Sequence, residues 1–294
     1  MYGIIDIGSN TMRLSCYRVV EKTLLPTFHK KYMAGLAGYV TEEHFLSEEG
    51  IQVIINALKD FRNIVMCVGL DKCYVIATAS LRNVENTEDI LKTISEETGF
   101  EVVVLSGKQE ALYDFKGATY NTTQDSGMVV DIGGGSTELV CFNDQKAEHA
   151  ISIPLGSLSM FSKHVNDLFP TVEEQAHIRS HVHEELEKLN IKEQKHVLGV
   201  GGTIRACMKL YNDYYKLDST NTEMECAKIN QMLLDMLDNP KKAMKKILKI
   251  VPDRIHTILP GLLVLDEINS YYKCNQVQLS AWGVREGYMI EKVL

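Results

Sequence analysis

Two short stretches of this sequence end an apolar run in an aspartate followed by small residues, the arrangement needed to hold phosphate groups. The first reads Ile5-Asp6-Ile7-Gly8-Ser9-Asn10-Thr11-Met12-Arg13-Leu14, the second Val130-Asp131-Ile132-Gly133-Gly134-Gly135-Ser136-Thr137-Glu138-Leu139. They align without a gap at an offset of 125 residues, Asp6 to Asp131. In a β-hairpin of this kind the Gly/Ser/Thr turn lets backbone N–H groups approach an anion with no Cβ atoms in the way. One copy alone reads more readily as a tight turn. Two copies point to duplicated half-domains facing each other across a phosphate-binding cleft.

The expected cradle takes Ser9, Asn10 and Thr11 from one side and Gly133, Gly134, Gly135 and Ser136 from the other. A third turn, Gly201-Gly202-Thr203, follows a strand-like run at 196–200 and opens a helix, which adds N–H groups at a helix N-terminus. The two copies differ seven residues after the aspartate, where the first has Arg13 and the second Glu138. That asymmetry suits a site in which one half attracts phosphate and the other manages metal and water.

The elements that must position these residues follow from periodicity. Residues 2–7, 13–20 and about 24–34 read as three strands. Ser47-Glu48-Glu49 caps a helix with Ile51, Ile54, Ile55, Leu58 and Phe61 on one face. A strand at 73–79, a helix at 87–98 closed by Gly99, a strand at 102–105 and a helix at 108–120 complete a βββαβαβα order. The second half restarts with strands at 128–132, 138–142 and 147–153, then helices near 157–168 and 171–190. It continues with the strand at 196–200, a helix to about 214, helical sequence over 226–250 and 258–272, a strand at 276–279 and a terminal helix. The pattern predicts an α/β fold of two duplicated domains, 1–122 and 123–294, each a mixed five-stranded sheet flanked by helices, with the C-terminal helix free to pack back on the first. The boundary is drawn in the polar stretch 119–126.

Composition bounds the rest. At 294 residues, 45% hydrophobic and 24% charged, the chain has the make-up of a globular protein with two substantial cores. No apolar run approaches the roughly 18–20 residues of a membrane span, and the start lacks a basic leader region. The seven cysteines are odd in number, scattered and free of Cys-x-x-Cys pairs, which implies reduced buried thiols and a cytoplasmic location. A net charge of −8 argues against general nucleic-acid binding, though a cleft can be locally positive on an acidic protein.

Five patches together resemble the exopolyphosphatase/guanosine pentaphosphate phosphohydrolase family of the actin-like (ribonuclease H-like) superfold. They are Asp6 to Asn10 with Arg13; Ala77-Thr78-Ala79-Ser80-Leu81-Arg82 with Asn86; Ser106-Gly107-Lys108-Gln109-Glu110-Ala111; Asp131 to Glu138; and Gly199-Val200-Gly201-Gly202-Thr203. Arg254 with 258–261, and Ser280 through Gly287, resemble the family's C-terminal segments. The chain resembles the short, two-domain form, for which monomer and homodimer both stay open.

The resemblance implies hydrolysis of a terminal phosphoanhydride. That reaction needs an anion cradle, a cation to offset charge, and a positioned water. Glu110 matches the glutamate that activates water, and Asp131 and Glu138 match residues near the divalent ion. Asp6 joins them by the duplication, and Mg²⁺ or another hard divalent cation is the expected cofactor. Arg82, after the strand at 73–79, has a guanidinium able to grip phosphate; Arg254 and Arg285 are weaker candidates. The implied substrate is inorganic polyphosphate, with guanosine pentaphosphate as the alternative. An ATP-using kinase or ATPase of the same superfold, and a sensor that binds without turnover, are the rival classes. Two departures stand out: Gln109 where the family often has Glu, and Ser157-Leu158-Ser159 where many relatives carry an arginine. Two features read as bland: His177 and His181 on the outer face of a helix whose buried face begins at Val172, and a lysine-rich solvated helix at 241–249.

Overall fold

The computed structural model describes residues 1–294. The first half contains β1 (Tyr2–Ile7), β2 (Thr11–Val20), β3 (Thr23–Met33), α1 (Glu48–Val68), β4 (Lys72–Ala77), α2 (Ala79–Arg82), α3 (Thr87–Thr98), β5 (Val102–Val104) and α4 (Gly107–Thr119). Its sheet has the order β3-β2-β1-β4-β5. The hairpin strands β1–β3 pair antiparallel, and β4 and β5 add on in parallel. Ser47 accepts a hydrogen bond from the Gly50 N–H to start α1, which buries Ile51, Ile54, Ile55, Leu58 and Phe61 and ends at Gly69.

The second half contains β6 (Gly127–Ile132), β7 (Thr137–Asn143), β8 (Lys146–Ile153), α5 (Ser157–His164), α6 (Val172–Glu187), β9 (His196–Val200) and α7 (Gly201–Tyr215). It continues through β10 (Glu223–Glu225), α8 (Cys226–Asp238), α9 (Pro240–Ile250), α10 (Ile258–Tyr271), β11 (Gln276–Leu279) and α11 (Val284–Val293). Its sheet, β10-β11-β9-β6-β7-β8, has six strands rather than the five expected. The extra strand is Glu-Met-Glu at the edge, in which only Met224 is buried, too short to show an alternation in sequence. The helical region at 226–250 is two helices, broken where Pro240, at the first position of α9, has no N–H to continue α8. Helix α10 is apolar on nearly every face and sits at the centre of the larger core.

The duplication appears directly in strand register. Asp6 lies opposite Arg13 in the first hairpin, and Asp131 opposite Glu138 in the second. Each turn is closed by the same bond, Gly8 N–H to Thr11 O at 3.2 Å and Gly133 N–H to Ser136 O at 2.9 Å.

Two helices cross between the halves. Helix α4 leaves the first sheet but packs on the second, where Ala111 and Ala118 meet Val129, Val140 and Phe142. Helix α11 ends the second half but packs on the first sheet, where Tyr288 and Met289 join Ile4, Tyr17 and Ile76. The crossing is close because it is made of glycine: a Cβ on Gly117 would land on the Gly283 carbonyl, and one on Gly287 on the Tyr113 carbonyl. No helix is long and apolar enough to cross a membrane. All seven cysteines are free, and five are buried.

Gly117→Ala is expected to force α4 and α11 apart and lower stability by about 1–3 kcal/mol, the usual cost of overpacking. A urea midpoint unchanged from that of the parent protein would show that the crossing is looser than its geometry.

Candidate active site

The two hairpin tips meet. A Cβ on Gly134 would lie 3.3 Å from Ser9 Cβ, and one on Gly135 3.1 Å from Ser9 Oγ, so the loops approach each other with nothing between. Beside them opens a cleft with only three hydrophobic residues in its lining. Ser9, Asn10, Thr11 and Gly133 to Ser136 line it, as do Gly201 and Gly202 at the start of α7. Gly201 has φ +78°, and a Cβ there would collide with the Asp131 carboxylate. Glycine is therefore required twice over, for its conformation and for the aspartate's room. Thr203 differs from expectation. Its side chain is buried beneath the loop, 3.5 Å from both Ser157 Oγ and Arg254 Nη1, and does not face the cleft.

The carboxylates gather at one end. Asp6, Asp131 and Glu110 line the cleft, and Glu138 sits behind Asp131, 1% exposed, accepting a 2.7 Å hydrogen bond from Ser152 Oγ. Glu138 is thus set back from the position expected of a cation contact. Burial raises Asp6 and Asp131 above the usual carboxylate range, against the pull of Arg285 on the first and Arg205 on the second. Glu138 is raised further by burial and then by Glu110 and Asp131. A fifth acid escaped the sequence reading. Asp114, one turn after Glu110 on α4, is 1% exposed and lies against Asp131 and the Val284 N–H. Burial, then Asp131, Glu138 and Glu110, push it well above the normal range. In sequence it is one more polar helix residue, and its burial depends on the return of α11.

This donor set suits a hard divalent cation. Only oxygen ligands are offered, and the raised carboxyls would be relieved by a positive charge between Asp6 and Asp131. No three such side chains form a complete cage. Magnesium does not need one, since it prefers one or two carboxylates together with water and substrate oxygens.

Arginines stand among these acids. Arg13, Arg205, Arg254 and Arg285 all line the cleft, and Arg285 lies 4.0 Å from Asp6. Burial, then Arg285 and Arg205, hold the Arg13 guanidinium down to about 10, and burial with Arg285 lowers Arg205. Arg205 was missed from sequence. Its signal was spacing, three residues after Gly202 on the first turns of α7, the face turned to the cleft.

Arg82 does not reach into the cleft. It ends the one-turn helix α2 and donates to Glu110 Oε2 at 2.6 Å, to Leu105 O at 3.1 Å and to Ser152 Oγ at 3.4 Å. Its partner is the glutamate rather than phosphate. Burial pushes the Glu110 carboxyl up, Arg82 pulls it back, and Asp131 and Asp6 push again, leaving it at about 7. Gln109 points away from the cleft. Its side chain accepts from Ser106 N–H at 2.9 Å and completes a capping box. Ser157, where relatives carry arginine nearby, braces the second loop, its N–H donating to Gly133 O at 2.9 Å.

The remaining candidates lie elsewhere. His181 is half-buried and touches His164 ring to ring at 2.9 Å, His177 is exposed, and Val172, expected inside, is 82% exposed at the helix start. The lysines of α9 do not line the cleft.

Loss of Arg82 leaves Glu110 with its burial and its acidic neighbours but no compensating cation. Its carboxyl must rise above about 7, so it stays protonated to higher pH. Arg82→Gln is expected to move the acid limb of kcat/KM up by about one unit or more. An unmoved limb would mean that a different group controls it.

A family model described as the Ppx/GppA phosphatase family matches residues 15–294. Among curated proteins, the chain is 30% identical over 292 residues to a bifunctional 3-dehydroquinate synthase/phosphatase of Fusobacterium nucleatum. The match takes in 91% of this chain and 43% of that longer protein. It is 26% identical over 296 residues to a Haemophilus influenzae protein provisionally named an exopolyphosphatase, across 98% of this chain and 90% of that one. Among solved structures, the Ppx/GppA family member of Aquifex aeolicus superposes with a TM-score of 0.83 at 26% identity, covering 99% of this chain and 97% of that one. The two-sheet α/β architecture is common to both. With the family model matching across nearly its whole length, the chain belongs to the Ppx/GppA phosphatase family.

Proposed function

We propose that this protein is an exopolyphosphatase that releases terminal orthophosphate from inorganic polyphosphate by direct attack of water. The observation that carries the reading is Glu110: a buried carboxyl poised at about 7, at the acidic end of a cleft whose walls are anion-holding loops. A general base works best with a pKa near the working pH, and few glutamates meet that condition without such an environment.

In this mechanism the N–H groups of the turns at Ser9–Thr11, Gly134–Ser136 and Gly201–Gly202 hold the terminal phosphoryl group. Glu110 accepts the proton of the attacking water, and Arg82 keeps that carboxylate oriented and partly ionised. Asp6 and Asp131 would hold Mg²⁺, with Glu138 buried behind them and held by Ser152. When bound, the ion supplies charge neutralisation on the transferring group. Thr203 and Ser157 brace the loops from below. The bridging oxygen leaves with the shortened chain, and the released phosphate carries the oxygen from water.

The test is phosphate release with Mg²⁺ from long-chain polyphosphate, guanosine pentaphosphate and ATP in parallel, with Glu110→Gln as control. Polyphosphate should be the best substrate, and the variant should lose about 10²- to 10⁴-fold in kcat, the range for a general base. Preference for guanosine pentaphosphate would reassign the substrate and leave the site intact. Full activity in Glu110→Gln would remove the assigned base. No release from any of the three would sink the hydrolase reading for these substrates.

A further inference from the structure

Away from the cleft, the fold brings together two imidazoles that lie 17 residues apart in the chain. His164 is the last residue of α5 and His181 lies midway along α6. His164 Nε2 sits 2.9 Å from His181 Nδ1, with the ring planes at 64° to each other. Both side chains are half-buried, so solvent still reaches them. Burial, then His181 and Lys163, holds His164 below the usual histidine range, and burial with Lys163 does the same to His181. Facing neutral imidazoles open to water are groups that bind metal ions.

The separation of the two nitrogens selects among ions. Two nitrogens at about 2.0–2.1 Å from one ion and at a right angle lie about 2.8–3.0 Å apart, whereas a tetrahedral ion would need about 3.3 Å. The pair therefore matches adjacent corners of an octahedral or square-planar site, the geometry of Ni²⁺ and Cu²⁺. No third His, Cys, Asp or Glu completes the set, so water fills the remaining positions. As a hydrogen-bonded pair, one ring donates its facing proton to the other. As ligands, both rings present lone pairs, and that proton moves to the far nitrogen of its own ring with no change in charge. The surrounding charges are mixed. Glu184 and Glu185 act on His181 and favour a cation, Lys163 opposes one, and Lys188 is tied to Glu185 at 2.5 Å.

Helix α5 connects this pair to the catalytic loops. Its first residues hold the second glycine turn: Ser157 N–H donates to Gly133 O at 2.9 Å, and Leu158 and Ser159 N–H to Gly134 O at 2.9 and 3.0 Å. An ion between His164 and His181 fastens the other end of that eight-residue helix to α6. We propose that His164 and His181 form a binding site for an octahedral or square-planar divalent transition metal, separate from the catalytic cleft, and that the ion staples α5 to α6. The site is independent of the exopolyphosphatase reading. Its nitrogen donors take ions of the Ni²⁺ and Cu²⁺ kind, while the oxygen donors of the cleft suit Mg²⁺.

The probe is Ni²⁺, titrated into the untagged full chain with excess Mg²⁺ present to occupy the oxygen sites. Calorimetry should show a saturable Ni²⁺ site in the parent protein, and paramagnetic broadening should fall first on the ring protons of His164 and His181. His164→Gln and His181→Gln, both outside the catalytic machinery, should each weaken that site at least about tenfold, because loss of one donor removes the chelate. At saturation the ion should raise Tm by about 2 °C or more in the parent and in neither variant. Far-UV circular dichroism without Ni²⁺ should match the parent in both variants, which sit on different helices, so that the loss reads on the ligands and not on folding. Ni²⁺ binding of equal strength in the parent and both variants, or no Ni²⁺ binding by the parent in the presence of Mg²⁺, would overturn the site.

Discussion

The structure is organised around a concentration of buried charge. Carboxyl and guanidinium groups share one cleft: Arg82 meets Glu110 at 2.6 Å and Arg285 lies 4.0 Å from Asp6, while Glu110, Asp114, Asp131 and Glu138 crowd one another. Taking a charge out of water is expensive, and gathering like charges adds to the cost. The protein meets part of it by holding acids above their usual range, Asp114 and Glu138 well above it. The remainder is a standing preference for ligands: a cation among the acids, and a polyanion against the arginines. A net charge of −8 does not oppose this, because the field that matters is local and enclosed.

Holding that arrangement requires rigidity between the two halves, and the crossing helices supply it. Helix α4 carries Glu110 and Asp114 and packs on the second sheet; α11 carries Arg285 and packs on the first. Each half thus holds in place a functional side chain that belongs, by chain order, to the other. The chain Glu110–Arg82–Ser152–Glu138 makes the same connection through polar atoms, running from α4 through α2 to β8 and β7. A rotation of one half on the other would disturb the base, its orienting arginine and the acid pair together.

What could be read from sequence was what depends on local pattern. The repeated hairpins are gapless, so the pairing of Asp6 with Arg13 and of Asp131 with Glu138 follows from a turn of fixed length. Helix α1 was legible from its cap and apolar spacing. What could not be read depends on partners distant in the chain. Arg82 looks like a phosphate ligand until it is seen 2.6 Å from Glu110, 28 residues on. Asp114 looks solvated until α11 covers it, and β10 is an edge strand of three residues that only β11 defines. The Gln109 departure is a different case: the Ser106-x-x-Gln109 spacing is itself a capping-box signature, and it accounts for the residue locally.

The direction of the substrate in the cleft is the claim on which the mechanism depends. The most direct measurement is a crystal structure with Mn²⁺ and an imido-bridged tripolyphosphate that resists hydrolysis, with the ion located by anomalous scattering. The account predicts an anomalous peak beside Asp6 and Asp131, the terminal phosphoryl group within the glycine loops facing Glu110, and the rest of the chain on Arg13, Arg205 and Arg285. A terminal phosphate bound at those arginines, or an ion remote from the acids, would contradict it.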